Sequence, residues 1–533
     1  LKFGPSSDTD ISLNHLRTHT MLSAIALCLV SLTLQTATAA KSCAAKSCAA
    51  NDDTDTVVAI ERKSMIQRRA DFLAGVELKV HPDSAVAKTG RGEWIIYPEG
   101  NCGQEDLESL AEDMPTDTRA ILHGHPDKGG LCFFVMEGTR EGVLQKLAMH
   151  RWNGTPRVEA DTALYVDAEP AQESELLEDD VEADVPWGLD KIADKEGNMM
   201  GELNGRGVDV YVWDTGIRTS HEEFGGRAVP ALETFGSEPR ECTDTDADCA
   251  ADEHGHGTFC AAIIGGNSVG VAPNVKLHAV KVIDGPVGKV TSLHTALDWL
   301  LQQNLASSST VFSLSLNLQH PDPFSPALQF LNYASINGVT LVVAAGNSRK
   351  KTGWPPFAGA ITVGASTKSD EIWAESNDGL AIDIYAPGVD ITSSWIGSDI
   401  EKRTRSGTSA ASPYVAGAAA RLLSEAKDKG LTFTPANVKR ALREQSPNVW
   451  PYIPGYWTGE KGKMVKGKYV PGNRKWISGK HKGNMFKRLF IGNAEGWMKY
   501  AQEAVEPEQQ TGTDPLPYWH HSDTNRTMKL VLR

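Results

Sequence analysis

Two largely apolar runs constrain the fold of this chain more than any other feature. Val208 to Trp213 is apolar and β-branched or aromatic apart from Asp209, and Val339 to Ala345 is nearly as apolar. Such runs are typical of strands buried on both faces in a parallel sheet. Because open α/β sheets carry their chemistry at the carboxyl ends of their strands, Asp214 and Asn347 are candidate functional residues. The commoner role of either residue type is a turn or a cap.

A histidine and a serine open two segments that are rich in small residues. His256 lies between two glycines, and a neutral imidazole there can take a proton near pH 7. Ser409 lies in the run from Gly407 to Pro413, where a hydroxyl at a helix N-terminus can act as a nucleophile. Alone, such a serine is more often a helix cap. His254 and His256 have no third ligand nearby at zinc-like spacing, so we expect His254 to be a loop residue.

Four short blocks, taken together, resemble the subtilisin-like serine proteases. Asp214, His256 and Ser409 occur in the order of the subtilisin triad. The matching blocks are Asp214-Thr215-Gly216, His256-Gly257-Thr258, Gly407-Thr408-Ser409 and, for the oxyanion, Ala344-Ala345-Gly346-Asn347. The resemblance covers about residues 186 to 445 and implies a subtilisin-like α/β fold with a doubly wound, mostly parallel sheet. Further segments are similar to the proteinase K branch: Pro186-Trp187-Gly188-Leu189, Cys260 and Ser393 to Gly397.

The resemblance implies a serine endopeptidase that acts on polypeptides and needs no cofactor for catalysis. Ser409 would attack the peptide carbonyl, His256 would take and return its proton, and Asp214 would orient the imidazole. Asn347 and the backbone amide of Ser409 would bind the oxyanion. These roles are those of subtilisin, which is the standard example of such a triad, and they are carried over to the matching positions.

The predicted substrate cleft departs from the family pattern at one wall. Ser315 and Leu316 match the family, but Asn317 and Leu318 replace residues that are usually glycines. The resemblance therefore implies a primary pocket that is narrower or differently shaped. The segment around Gly288 is predicted to be an edge strand that pairs with extended peptide. The opposite wall consists of small residues that favour an apolar P1 side chain, namely Ala344, Ala345 and Gly346.

The resemblance also implies a structural calcium site. Asp383 would supply its carboxylate, and Ala358 and Ala360 would supply backbone carbonyls. Asp383 lies in an apolar, strand-like segment, where a carboxylate requires a partner. A buried salt bridge explains this aspartate equally well, so both alternatives stay open.

Residues 92–166 alternate between strand and helix patterns, which suggests a ferredoxin-like α+β domain. Its position before a subtilisin-like domain resembles that of the family's inhibitory propeptide. An unrelated α+β domain is the alternative. Residues 167–185 contain acidic residues and no basic one, so we expect an exposed linker that is cut between Val166 and Pro186 during maturation.

The remaining segments are assigned from composition. Residues 1–39 are predicted to be upstream residues and a signal peptide beginning at Met21, followed by a linker of uncertain structure at 40–91. The catalytic domain is predicted at 186–495 with a basic insertion at about 446–485, and 496–533 as a C-terminal tail.

A signal peptide implies an oxidising compartment, so the protein is expected to be secreted, or lumenal or vacuolar. Two disulfides are possible there, Cys102 with Cys132 and Cys242 with Cys249. Cys260 resembles the buried free cysteine of the proteinase K branch. The acidic loop from Cys242 to Asp252 is expected to be solvated.

Composition excludes some functions and leaves others open. The net charge of −15 argues against general nucleic-acid binding, and no apolar run after the signal peptide is long enough to span a membrane. We expect a monomer with its own propeptide as an intramolecular inhibitor. One alternative is a binding or regulatory protein locked by that propeptide. Another is an acyl hydrolase of a different class, which is disfavoured because no Gly-x-Ser-x-Gly surrounds Ser409.

Overall fold

The protein is described here by a computed structural model. Apart from single residues and pairs, the described residues are 76–166, 185–193, 203–303, 309–318, 334–349 and 360–446, with short strands between 448 and 487 and residues 488–489. The chain divides into two compact units, 1–71 and 72–533, and every described residue lies in the second. The predicted signal peptide, most of the acidic linker and the C-terminal tail fall outside the described residues. Among the helices of the described segments, none is long and apolar enough to cross a membrane.

Residues 78–160 contain a five-stranded sheet with the strand order β1-β5-β2-β4-β3. From β2 to β5 the chain runs strand, helix, strand, strand, helix, strand, which is the ferredoxin-like connectivity predicted from the sequence. Side chains along β2 alternate between the two faces, so Trp94 faces the helices and Ile95 the opposite side. The elements are β1 (Leu78–Lys79), α1 (Ala85–Thr89), β2 (Arg91–Tyr97), α2 (Gln104–Ala111), β3 (Arg119–His123), β4 (Phe134–Thr139), α3 (Arg140–Met149) and β5 (Arg157–Ala160).

An eight-stranded sheet forms the centre of the larger part, in the order β16-β15-β14-β12-β7-β10-β8-β9. All neighbouring strands from β16 to β8 are parallel, and only β9 is antiparallel to its neighbour. The two apolar runs form β7 and β14, which lie on either side of β12. The strands are β7 (Asp209–Asp214), β8 (Ala228–Glu233), β9 (Arg240–Glu241), β10 (Lys276–Lys281), β12 (Thr310–Leu314), β14 (Thr340–Ala344), β15 (Ala360–Ser366) and β16 (Ile384–Pro387).

Helices cover both faces of this sheet, as predicted for an α/β fold. On one face α5 packs directly against α7, and on the other α6 covers Trp213 and Phe312. Because parallel neighbours end at the same edge, β7, β12 and β14 bring Asp214, Ser315 and Gly346 to one side of the sheet. The helices are α4 (Trp187–Ile192), α5 (His256–Gly265), α6 (Val290–Gln302), α7 (Thr408–Asp428) and α8 (Pro435–Gln445).

A three-stranded sheet joins the small domain at residues 78–160 to the larger part that is built around the eight-stranded sheet. β6 (Ala163–Tyr165) lies between β11 (Val287–Lys289) and β13 (Asn317–Leu318) and is antiparallel to both. Gly288 therefore lies in an edge strand, and the peptide that pairs with it comes from this same chain. Both predicted disulfides are formed, Cys102–Cys132 and Cys242–Cys249.

The chain returns to the sheet after α8. Thr434 caps this helix, since its hydroxyl accepts a hydrogen bond from the Asn437 amide at 3.2 Å. Leu489 is buried and its amide donates to the Tyr385 carbonyl at 2.7 Å, so the chain packs against β16 at the edge of the sheet. The remaining strands are β17 (Ile391–Ser394), β18 (Lys402–Arg405), β19 (Asn448–Val449), β20 (Tyr456–Thr458), β21 (Lys463–Val465), β22 (Lys468–Val470), β23 (Lys475–Ile477) and β24 (Phe486–Lys487).

Candidate active site

Asp214 and His256 form a buried hydrogen-bonded pair. Asp214 ends β7 and His256 begins α5, and His256 Nδ1 lies 2.7 Å from Asp214 Oδ1. The amide of Thr215 donates to the same carboxylate oxygen at 2.8 Å, which fixes the orientation of the carboxylate. Burial lowers the pKa of His256, but the charge of Asp214, the hydrogen bond to it and the contacts with Cys260 together outweigh burial and raise this pKa above its ordinary value.

The loop before His256 is held by Asp252, which sequence reasoning placed in a solvated acidic loop. That expectation is wrong for this residue, because Asp252 is buried and accepts five hydrogen bonds. The donors are the hydroxyls of Thr215 and Thr258 and the amides of His254, Gly255 and Thr258. Asp252 therefore ties the start of α5 to the end of β7. A small polar residue just before a predicted helix start was the available signal.

Ser409 lies in the first turn of α7, which begins at Thr408. Pro413 is consequently inside the helix and has no N–H to donate to the Ser409 carbonyl one turn earlier. Cys260 Sγ donates to that carbonyl instead, at 3.4 Å. The same sulfur lies 3.9 Å from His256 Nδ1, so this cysteine links the histidine helix to the serine helix.

Asp214, His256 and Cys260 could be taken for a metal site, since their ligand atoms lie within 4.8 Å of one another. Burial raises the pKa of the Cys260 thiol, which favours the neutral thiol over the thiolate that binds metals. The carboxylate and imidazole are already paired with each other. The arrangement therefore suits proton transfer better than metal binding. His254, the other histidine of this segment, is half-buried in the loop.

Asn347 follows β14 and is held by Thr408. Its Oδ1 accepts from the amide of Thr408 at 2.9 Å and from the hydroxyl at 2.8 Å. That end of the amide is thus fixed, and Nδ2 lies on the other side. A Cβ built on Gly407 would be 3.4 Å from Asn347 Nδ2 and 2.8 Å from Ser409 Oγ. The amide nitrogen and the serine hydroxyl therefore face the same small space beside Gly407.

The residues predicted to line the substrate cleft gather at the same sheet edge. Ser315 Oγ lies 2.9 Å from the hydroxyl of Ser412 on α7. Asn317 faces Gly346, since a Cβ on this glycine would be 3.2 Å from Asn317 Oδ1. Leu316, Ala344 and Ala345 are buried beneath this surface.

Comparison with known proteins finds a matching family model and several curated relatives. The family model described as the subtilase family matches residues 205–472. An extracellular serine proteinase of Thermus sp. (strain Rt41A) is 38% identical over 291 residues, which cover 51% of this chain and 67% of the relative. A cuticle-degrading serine protease of Orbilia oligospora is 38% identical over 253 residues, 46% of this chain and 57% of the relative. Subtilisin-like protease 3 of Saccharomyces cerevisiae is 34% identical over 322 residues, 52% of this chain and 64% of the relative.

A crystal structure of a cold-adapted subtilisin-like serine proteinase is 31% identical to this chain, covering 58% of it and 99% of that chain, with a TM-score of 0.44. The chain belongs to the subtilase family of serine-type endopeptidases. Its alignments span 57–67% of the length of the three curated relatives. Subtilases need no cofactor for catalysis.

The implied calcium site does not fit the residues present. Lys439 Nζ lies 2.8 Å from Asp383 Oδ2 and donates to the Ala360 carbonyl at 2.8 Å. An ammonium therefore already contacts two of the three groups proposed as calcium ligands, and Arg443 lies 3.7 Å from the other carboxylate oxygen. Ala358 lies outside the described residues. Of the two alternatives for Asp383, the structure contains the salt bridge.

Replacing Lys439 with alanine should lower stability and create a response to calcium. Removing one partner of a largely buried ion pair costs up to about 3 kcal/mol, and Asp383 would be left with only the Arg443 guanidinium at 3.7 Å. Calcium can then approach the Asp383 carboxylate and the Ala360 carbonyl. Thermal unfolding with and without millimolar calcium measures both effects. Calcium should raise the Tm of Lys439→Ala more than that of the unmodified protein.

The matched control is Arg440→Ala on the same helix. Arg440 pairs with Glu444 at the surface, with both side chains about half exposed. Its loss should change stability by less than about 1 kcal/mol. If Lys439→Ala lowers stability as little as this control does and does not respond to calcium, the Lys439 ammonium does not occupy the place of a calcium ion.

Proposed function

We propose that the chain is a serine endopeptidase that hydrolyses peptide bonds through an acyl-enzyme. The buried hydrogen bond between His256 Nδ1 and Asp214 Oδ1 carries the proposal. A carboxylate only accepts, so Nδ1 is the donor and Nε2 keeps the lone pair that can take a hydroxyl proton. The helix that carries Ser409 packs directly against the histidine helix through Cys260.

In the proposed mechanism Ser409 Oγ attacks the peptide carbonyl while His256 Nε2 takes its proton. His256 then gives the proton to the leaving amine, and a water repeats the sequence to release the acid. Asp214 keeps the imidazole in the required tautomer and stabilises the imidazolium, in line with the raised pKa of His256. Asn347 Nδ2 and the Ser409 amide donate to the oxyanion.

A fluorophosphonate that reacts with activated serines tests this function. After removal of residues 1–166, mass spectrometry should find one adduct, on the peptide that contains Ser409. A folded, processed protein without this adduct overturns the proposal. That result would favour the alternative of a binding or regulatory protein with the subtilase fold.

We also propose that the small domain, predicted from the sequence at 92–166 and beginning at β1 in the structure, is an intramolecular inhibitor. β6 occupies the position of an extended peptide, because it is paired on both sides by strands of the catalytic part. Leu164, at the centre of β6, is fully buried among apolar residues of that part. A peptide held there would exclude substrates.

The five-stranded sheet packs on α6 with the face opposite its own helices, and this contact supports the same proposal. The Tyr97 hydroxyl lies 2.8 Å from His294 Nε2, and Asp161 Oδ2 accepts from the Thr291 hydroxyl at 2.5 Å. Asp298 of α6 accepts from the Leu131 amide at 2.6 Å and pairs with His125 at 2.7 Å.

The zymogen proposal includes secretion and cleavage. We place the cut between Val166 and Pro186 and keep 186–495 as the catalytic part. The two disulfides suit an oxidising compartment, and the relative from Thermus is named an extracellular proteinase. The processed enzyme is proposed to be a monomer that acts on polypeptides.

Two buried groups at the contact between the small domain and α6 respond oppositely to pH. Burial lowers the pKa of His294 from 6.5 to about 4, so docking weakens as pH falls from 6.5 towards 4. Burial raises the pKa of Asp161 from 3.8 to about 7, so docking weakens as pH rises from about 4 to 7. Between pH 4 and 6.5 the two effects oppose each other.

Asp161→Asn should therefore make release of the processed domain acid-sensitive. Without the carboxyl, the response of His294 is no longer offset by that of Asp161, and the dissociation constant should rise by up to about tenfold per pH unit on acidification below pH 6.5. His294→Gln is the matched variant and should give the opposite slope. Recovery of peptidase activity after dilution of the processed complex measures release. Glu93 and Lys289 also face Asp161, and Tyr97 and Phe133 face His294. Parallel pH profiles for the two variants would contradict the assignment.

A further inference from the structure

The direction of β6 indicates where a bound peptide meets the proposed nucleophile. In the antiparallel pairing with β13, Leu164 lies opposite Leu318 and Tyr165 opposite Asn317. Continuing this register brings a bound peptide, residue by residue, towards Ser315. Ser315 contacts Ser412 on α7, the helix that also carries Ser409. The residue at the scissile bond therefore lies just beyond the position opposite Asn317.

The crevice at this point lies between the ends of two parallel strands, β12 and β14. Gly346 follows β14 with φ at +90°, a conformation that favours glycine. A Cβ at Gly346 would lie 3.2 Å from Asn317 Oδ1 and 2.7 Å from Asn377 Nδ2. The carboxamides of Asn317 and Asn377 therefore lie close to the side of Gly346 that carries no Cβ.

Asn377 is fixed in place and supports one side of the crevice. It is buried, its Nδ2 donates to the Ala345 carbonyl at 2.8 Å, and its Oδ1 accepts from the Ser348 amide at 3.2 Å. Asn317 comes from the opposite segment and is half-buried. Its side chain extends across the crevice, where a glycine would leave space.

We propose that Asn317 determines substrate specificity by filling the inner part of the P1 pocket, so that the enzyme prefers small P1 side chains such as alanine. The inference rests on the proposed peptidase function. A large aromatic side chain would have to displace the Asn317 carboxamide from its place against Gly346. The expectation from sequence of an apolar P1 residue is thereby narrowed to a small one.

A series of peptides that differ only at P1, with alanine, leucine or phenylalanine, tests the proposal on the processed enzyme. We expect kcat/KM for alanine to exceed that for phenylalanine by about tenfold or more. Asn317→Gly should raise the phenylalanine-to-alanine ratio about 100-fold, since it reopens the space beside Gly346. Unmodified enzyme that cleaves the phenylalanine peptide as well as the alanine peptide overturns the proposal, whether or not the variant folds.

The matched variant Asn317→Leu tests whether the volume or the polarity of the side chain at position 317 sets the P1 preference. Leucine has nearly the same size and no amide, so preference for alanine should persist if volume decides. Relaxed specificity in Asn317→Leu would overturn the volume argument. Failure of the peptidase function is a different result: no peptide is cleaved and the fluorophosphonate leaves Ser409 unlabelled. Labelled, active enzyme with an unchanged P1 ratio in Asn317→Gly overturns the specificity proposal alone.

Discussion

Ser409→Ala is expected to lower kcat by about 10⁶-fold, because removing the nucleophile of such a triad removes nearly all the catalysis that the triad supplies. Residual turnover would come from the oxyanion donors and substrate binding alone. Initial rates on a peptide substrate, with the variant supplied as the processed catalytic part, measure the loss.

The same variant, made as the full chain, should remain uncleaved between Val166 and Pro186. The small domain would then stay covalently attached, with β6 between β11 and β13. Intact mass after expression reports this directly. A Ser409→Ala chain that still cuts itself would show that another residue is the nucleophile.

Ser424→Ala is the control for Ser409→Ala. Ser424 lies on the same helix, is buried, and donates to the Arg206 carbonyl at 2.8 Å. Its loss should lower stability by about 1 kcal/mol and leave turnover and self-cleavage in place. Inactivation of both variants would point to damage of α7 rather than to loss of a nucleophile.

The sequence was sufficient to predict the sheet and the edge at which the site lies. The runs at Val208 to Trp213 and Val339 to Ala345 are apolar because their strands are covered on both faces, and each stops where the strand meets the crevice. Parallel pairing alone then brings Asp214 and Asn347 to one edge. The apolar runs and the rule that parallel strands end at one edge of a sheet are therefore enough for this part of the prediction.

The contacts that orient the candidate active site could not be predicted from local sequence pattern. Asp252 lies in an acidic run that the sequence predicts to be solvated, and only the folded loop shows that it accepts five hydrogen bonds. Lys439 belongs to a helix far along the chain from Asp383, so no spacing rule predicts that its ammonium contacts this carboxylate.

The boundary of α7 illustrates a different limit. A helix that began near residue 411 would place Pro413 in its first turn, where proline is well tolerated. The helix instead begins at Thr408, and the carbonyl that proline leaves without an intrahelical donor is served by Cys260 from another helix. Tertiary contact overrode a local preference at the residue proposed as nucleophile.

Asn347→Ala is expected to lower kcat by about 10²–10³-fold, the usual cost of removing one oxyanion donor. The loss should appear in kcat and leave KM nearly unchanged, because the negative charge on the substrate oxygen develops only in the transition state. Steady-state kinetics on the processed enzyme measures both constants. A loss below about tenfold would mean that the oxyanion is bound elsewhere.

Two variants distinguish hydrogen-bond donation by Asn347 from the contact with Thr408 that holds its side chain. Asn347→Asp keeps an oxygen that can accept from the amide and hydroxyl of Thr408, but it has no N–H to donate, so its kcat should fall at least as far as that of Asn347→Ala. Thr408→Ser keeps the hydroxyl that donates to Asn347 and accepts from the Gly346 amide at 3.0 Å, so it should retain most of the activity. If Asn347→Asp is active while Thr408→Ser is not, the side chain of Asn347 acts by positioning α7 and not by binding the oxyanion.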